Sequence, residues 1–281
     1  MHPSIGVFDS GVGGLSVLRE IRSLLPGADL AYVADQAHVP YGSRPPEAVR
    51  AFAVGITRFL WEWGARVVVV ACNTASAAAL SHLRDSFSPA LQIVGMEPAV
   101  KPAAEMTRSG VIGVLATPAT LQGGPFARLV ERYAQGITVL EQTCPGLVER
   151  IEGGETEGEG LRSLLADYIF PLLERGADAL VLGCTHYPLV LPVIAEVAGR
   201  GVRVINPAPA VARQTQRVWQ EIGGNAAAGC SGELSVYTSG DPAELERLLP
   251  RLLGETVWVQ SAAWREGQLV RTQMNAASQR R

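Results

Sequence analysis

The sequence predicts an α/β protein built from two related units, each a parallel sheet with helices on both faces. Three observations predict it. Short apolar runs alternate with amphipathic helical patterns along the chain, joined by short connections. The first of these runs are apolar throughout, as strands covered on both faces must be. One stretch also recurs: "GARVVVVACNT" (64–74) aligns with "GADALVLGCTH" (176–186), each carrying a cysteine eight residues after its glycine.

In chain order, "SIGVFDS" reads as a strand and "GLSVLREIRSLL" as an amphipathic helix. "DLAYVAD" is a strand, "EAVRAFAVGITRFLWEWG" a helix closed by Gly64, "RVVVVAC" a strand and "TASAAALSHLRDSF" a helix. "LQIVGM" and "GVIGVLA" are strands, with a helix over 99–106 between them. "GPFARLVERYA" is helical, "ITVLEQT" extended, "GLRSLLADYIFPLLERG" helical, "DALVLGC" extended, "YPLVLPVIAEVAG" helical and "VRVINPA" extended. A helix over 210–222, a strand over 234–239, a helix over 241–253 and a strand over 256–260 complete the pattern. Residues 153–160 and 231–232, and the end from Trp264, read as loop or tail, and the acidic run "EGGETEGEG" as a solvated loop.

Bulk properties narrow the function classes. The 281 residues carry a net charge of −3 without a sustained basic stretch, which argues against a nucleic-acid partner. No apolar run approaches the ~18 residues a membrane span needs, and "MHPSIGVFDSG" lacks the regions of a signal peptide, so the expectation is a cytoplasmic protein with no membrane partner. The four cysteines include no C-x-x-C pair, which makes a metal site an unfavoured reading, and in the cytoplasm they should be reduced. "GVGG" (11–14) is G-x-G-G and lacks the dinucleotide spacing; its glycines better suit a backbone that turns close to a small ligand.

The repeat gives the chain its chemistry. "IGVFDSG" (5–11) also resembles "IGVLATP" (112–118), so each unit places a thiol at the C-terminal end of a strand, the edge where open parallel sheets bind ligands. Both thiols could be small core residues, since free cysteine is often buried. As a matched pair facing one cleft they could instead work on one carbon: one thiolate takes the Cα proton of an amino acid and the opposite thiol protonates the other face. A pyridoxal cofactor would ease that proton loss but needs a Schiff-base lysine. Lys101, the sole lysine, lies in "EPAVKPA", away from both cysteines, which favours a route without a cofactor.

"FDSGVGGLSVL", "YVADQAHVPYGSRP", "VACNTASA", "ATPATL" and "LGCTHYPL" together resemble the glutamate racemase family over roughly residues 4–260. The resemblance implies two pseudo-symmetric, doubly wound parallel-sheet domains with the active site in the cleft between them. It implies the second domain inserted into the first: 1–97 plus 208–264, then 98–207, with 265–281 as a C-terminal tail. It also implies glutamate as substrate, D-glutamate supply for peptidoglycan, no cofactor and a homodimer.

Residue by residue, Cys72 and Cys184 match the proton donor and acceptor pair. Asp9, with Ser10 beside it, is suited to hold the substrate ammonium or orient Cys72; otherwise it caps a turn or helix. Tyr41, Gly42 and Ser43 should line the pocket, or form an ordinary turn. Asn73 and Thr74 offer donors, and Thr74 could cap the following helix. Thr117 and Thr120 occupy the second unit's equivalent loop. Thr185 and His186 follow Cys184, with His186 assisting that thiol. Glu152 matches a family carboxylate by its place in "CPGLVERIE", a stretch that departs from the pattern at Glu149, where proline is common. Ala116 departs too, where glycine is frequent. Cys144 and Cys230 read as bystanders. Two other readings remain at this level: an aspartate or hydantoin racemase of the same architecture, and a two-lobed amino-acid-binding protein without chemistry.

Overall fold

Each apolar run becomes a strand and each amphipathic run a helix in the computed structural model, which describes residues 4–225 and 231–272. The first unit opens with β1 (Ser4–Asp9), α1 (Leu15–Leu24), β2 (Leu30–Ala34), α2 (Pro46–Trp63), β3 (Ala65–Val70), α3 (Asn73–Phe87) and β4 (Gln92–Val94). The chain continues through α4 (Val100–Met106), β5 (Val111–Ala116), α5 (Pro118–Leu121), α6 (Gly124–Tyr133), β6 (Thr138–Thr143), α7 (Leu147–Glu152), α8 (Glu159–Glu174), β7 (Ala179–Gly183), α9 (Leu191–Ala198) and β8 (Arg203–Ile205). It returns with α10 (Ala208–Glu221), β9 (Leu234–Thr238), α11 (Pro242–Leu252), β10 (Val259–Arg265) and β11 (Gln268–Arg271).

Two sheets result. One has seven strands in the order β11-β10-β9-β2-β1-β3-β4, and the other four in the order β6-β5-β7-β8. All pairings are parallel except β10 with β11. The repeat is topological as well: β1 sits between β2 and β3 as β5 sits between β6 and β7, with Phe8 opposite Val70 and Leu115 opposite Leu182. In both sheets the winding reverses at this central strand, which opens a crevice at the strands' C-terminal ends.

Alternation along the strands divides the core. Val67, Val69 and Ala71 face one apolar cluster while Val68, Val70 and Cys72 face another. In the second sheet, Leu180, Leu182 and Cys184 join the first of these clusters, and Ala179 and Val181 a third. The first cluster therefore runs under both sheets and ties the units together.

Three expectations change, and two short helices, α5 and α7, were not expected. The single helix expected over 187–199 is a 3-10 turn (Tyr187–Val190) followed by α9, because Pro192 lacks an amide hydrogen and fits only a first helical turn. Helix α7 is too short to show a period. The last parallel strand runs over Val259–Arg265 instead of ending near residue 260. The expected tail over 265–281 holds a strand: β10 and β11 form a hairpin whose two turn residues, Glu266 and Gly267, both have positive φ. Glutamate there replaces the Asn or Asp that signals such a turn, which hid it. Cys230 lies outside the described residues.

Candidate active site

Strand ends place the functional groups. Asp9 closes β1 and Ser10 follows it; Cys72 follows β3 and caps α3, its sulfur accepting from the Ala75 amide at 3.5 Å. In the second unit Thr117 follows β5 and Cys184 follows β7. Cys72 and Cys184 line one narrow cavity together with Ser10, Pro40, Tyr41, Gly42, Asn73, Thr74, Thr117, Val148, Thr185 and His186. Its volume, about 20 Å³, is the room of about one water. Both cysteines are nearly fully buried.

The two sulfurs have different neighbours. Asp9 is wholly buried beside Cys72, and its Oδ2 accepts the Gly14 amide at 3.0 Å and, more weakly, that of Gly11 at 3.4 Å. Its Oδ1 accepts the Thr185 hydroxyl at 3.3 Å. Asp9 thus also serves the turn that its alternative reading named. Burial, then the Asp9 charge, push the Cys72 thiol well above the usual range. Burial raises the Asp9 carboxyl too, against the opposing pull of a charged His186.

On the other wall, His186 Nδ1 lies 3.7 Å from Cys184 Sγ, and its Nε2 lies 2.5 Å from Glu152 Oε1. Burial works against a charged imidazole, but its bonds to Cys184 and Glu152 win and hold the His186 pKa well above the ordinary histidine value. Glu152 shows the converse: burial would raise it, and the His186 bond and charge, with the Val12 amide at 2.8 Å and Gln36 Nε2 at 3.2 Å, lower it. Glu152 therefore joins the two units, since Val12 and Gln36 belong to the first.

Glycines make this approach feasible. A Cβ on Gly11 would stand 1.9 Å from Glu152 Oε1, and one on Gly13 would stand 2.4 Å from His186 Nδ1. Ser16 adds a further tie, donating to the Thr185 carbonyl at 3.0 Å.

The remaining expected residues divide. Both side-chain polar atoms of Asn73 are buried without a partner, in a wall of the cavity. Thr74, Thr117 and Thr120 bond one another at 3.0 to 3.4 Å; Thr120 lies one layer behind the cavity, as do Asp9 and Glu152. Thr74 is not the cap of α3; Cys72 is. Ser43 is not on the cysteine cavity but on an adjoining one of about 760 Å³, shared with Arg44, Gln122 and Cys144. Burial pushes the Cys144 thiol up to about 12, which leaves it neutral. The sequence reading missed Pro40 and Val148 on the cavity and Tyr32, Gln36 and the Val12 amide behind it. Tyr32, Gln36 and Pro40 lie inside the quoted "YVADQAHVPYGSRP", so their motif was a signal; the contact of Tyr32 Oη with the Gly11 carbonyl, at 2.6 Å, leaves no local trace.

Lys101 lies on the exposed face of α4, 4.0 Å from Glu105, and lines a cavity other than that of the cysteines. Among the described residues, no group of three or more His, Cys, Asp or Glu could hold a metal ion, and no helix is long and apolar enough to cross a membrane.

Known proteins resemble this chain in sequence and in fold. A protein named glutamate racemase from Roseiflexus sp. (strain RS-1) is 52% identical over 249 residues, spanning 88% of this chain and 91% of that protein. The crystal structure of a glutamate racemase isoform from Bacillus anthracis superposes with a TM-score of 0.83 at 31% identity, covering 95% of this chain and 99% of that one. That of Escherichia coli glutamate racemase, in complex with L-glutamate and the activator UDP-MurNAc-Ala, gives 0.81 at 32% identity, covering 93% and 98%. The family model described as Asp/Glu/Hydantoin racemase matches residues 5–215, so the chain belongs to the aspartate/glutamate/hydantoin racemase family.

Proposed function

We propose that the protein interconverts L- and D-glutamate by a two-base mechanism that uses Cys72 and Cys184 and no cofactor. The observation that carries this reading is the single cavity walled by both cysteines, each at the C-terminal end of a repeat-related strand. Relatives named glutamate racemase over nearly the whole chain support the substrate.

The proton inventory is simple. One sulfur begins as thiolate and the other as thiol. The thiolate takes the Cα hydrogen as a proton, leaving the electron pair on Cα. The opposite thiol breaks its S–H bond and protonates the other face. The sulfurs end with exchanged protonation states and reset through solvent. Cys72, held neutral by burial and Asp9, suits the donor of a resting site. The imidazolium of His186, 3.7 Å from Cys184, suits an anionic sulfur. The unpartnered Asn73 amide, Ser10, Thr74, Thr117 and Thr185 supply neutral donors for the substrate's carboxylates, with the α3 N-terminus adding its dipole. Glu152 acts through His186. The cavity holds about one water, so glutamate enters when the two walls move apart.

The same reading places the domains at 1–97 plus 208 through the β10–β11 hairpin and at 98–207, and takes the protein as a cytoplasmic homodimer that supplies D-glutamate for peptidoglycan. Purified protein given L-glutamate, D-glutamate and both aspartates tests it by optical rotation. Racemisation of glutamate is expected; preference for aspartate, or binding of either enantiomer without Cα exchange, would overturn it.

A further inference from the structure

The buried carboxylate of Asp35 sits just after β2, outside the cysteine cavity, and gathers four donors. Its Oδ2 receives Tyr41 Oη at 2.5 Å and faces His38 Nδ1 at 2.9 Å; its Oδ1 receives Ser239 Oγ at 2.6 Å and Trp264 Nε1 at 2.7 Å. Tyr41 and His38 belong to the turn that carries Pro40, Tyr41 and Gly42 to the cysteine cavity. Ser239 follows β9 and Trp264 lies in β10, so this one carboxylate ties the substrate-side turn to the C-terminal strands. A buried charge without its donors is costly, so the geometry of the turn depends on all four.

Packing fixes the indole as well. Trp264 lies edge-on to His38 with ring centres 5.3 Å apart, and 5.6 Å from Phe52 of α2. Gly55, one turn further along α2, leaves it room: a Cβ there would stand 2.6 Å from Trp264 Cζ3 and 3.1 Å from the Gly267 carbonyl. Glycine is disfavoured inside a helix, and here the indole and the hairpin turn occupy the space a side chain would need.

We propose that Trp264 is a positioning residue for substrate binding: through Asp35 it fixes Tyr41 and the turn over 38–43, which makes the β10–β11 hairpin part of the active-site framework. This rests on the function proposed above for the cavity.

Trp264→Phe tests it, because a phenyl ring keeps an aromatic side chain against His38 and Phe52 while removing the Nε1 donor and part of the indole's volume. The expected result is a KM for glutamate raised about tenfold with kcat within about threefold, as for a binding wall held less rigidly. Amide hydrogen exchange over 36–44 should quicken, which does not depend on the reaction being correct. Gly55→Ala, which displaces the indole without altering it, should give the same pattern and serves if the first variant fails to fold. Leu165→Ala loosens α8, a helix that supplies no partner to Asp35 and no wall to the cysteine cavity, and should leave KM unchanged. Unchanged KM and exchange in both indole variants, a fall in kcat alone, or an equal rise in KM for Leu165→Ala would overturn the proposal. A wild-type protein that fails to racemise glutamate would refute the function; the exchange measurement would then decide the role of Trp264 by itself.

Discussion

The two cysteine-bearing strand ends share a sequence pattern and a place in their sheets, yet their neighbours differ. Cys72 caps a long α-helix and faces a buried carboxylate, whereas Cys184 precedes a 3-10 turn and faces a histidine held in its charged form. A duplicated scaffold supplies the symmetry that brings two sulfurs to one carbon. The substituted neighbours supply the asymmetry, because transfer across one carbon needs one sulfur charged and the other neutral.

The largest expected effect removes either sulfur. Cys72→Ser or Cys184→Ser should each lower racemisation by about a thousandfold or more. Each variant keeps one base, so Cα–H exchange should survive for one enantiomer in the first and for the opposite enantiomer in the second. Exchange of the same enantiomer in both would break the comparison. Next come the partners. Asp9→Asn and His186→Asn should each cost about a hundredfold, with the two reaction directions losing unequally and in opposite senses, as measured by kcat from each enantiomer. Equal losses in both directions would mean the neighbours do not set the asymmetry. Gly13→Ala, which thrusts a methyl group at His186, should cost roughly tenfold and leave the Cys72 wall intact.

A smaller effect is one of stability. The folded state raises the pKa of His186, so that stabilisation is complete below its ordinary value of 6.5 and fades as pH rises through the folded value. It lowers the pKa of Glu152, so that contribution is complete above 4.5 and fades as pH falls through the folded value. Glu152→Gln should therefore destabilise most between pH 4.5 and 6.5, by about 1–3 kcal/mol in denaturant melts, and less on either side. A pH-independent loss would remove the ion pair from the account. The smallest effect is Ser43→Ala, whose side chain lies off the cysteine cavity: KM should change by less than about twofold.

The fold was legible because its signals are local. Four β-branched residues in a row before Cys72 mark a doubly covered strand, and the spacing from Gly64 to Cys72 recurs from Gly176 to Cys184. Both sulfurs follow from that pattern alone, whereas Asn73 and His186 beside them follow from the family resemblance. What escaped depends on contacts remote in sequence. Val12 and Gln36 meet Glu152 across 140 and 116 residues, and Trp264 meets Asp35 across 229. No periodicity or spacing records such pairs. In the sequence the hairpin that carries Trp264 reads as tail, because Glu266–Gly267 is an uncommon turn pair and β11 is only four residues long.

The most direct measurement is racemisation of pure L-glutamate in D2O, stopped after a few per cent conversion, with deuterium counted separately in each enantiomer. Two sulfurs on opposite faces predict deuterium at Cα of the D-glutamate formed and almost none in the recovered L-glutamate. Equal deuterium in both enantiomers would mean that one base serves both faces, and the account would fail.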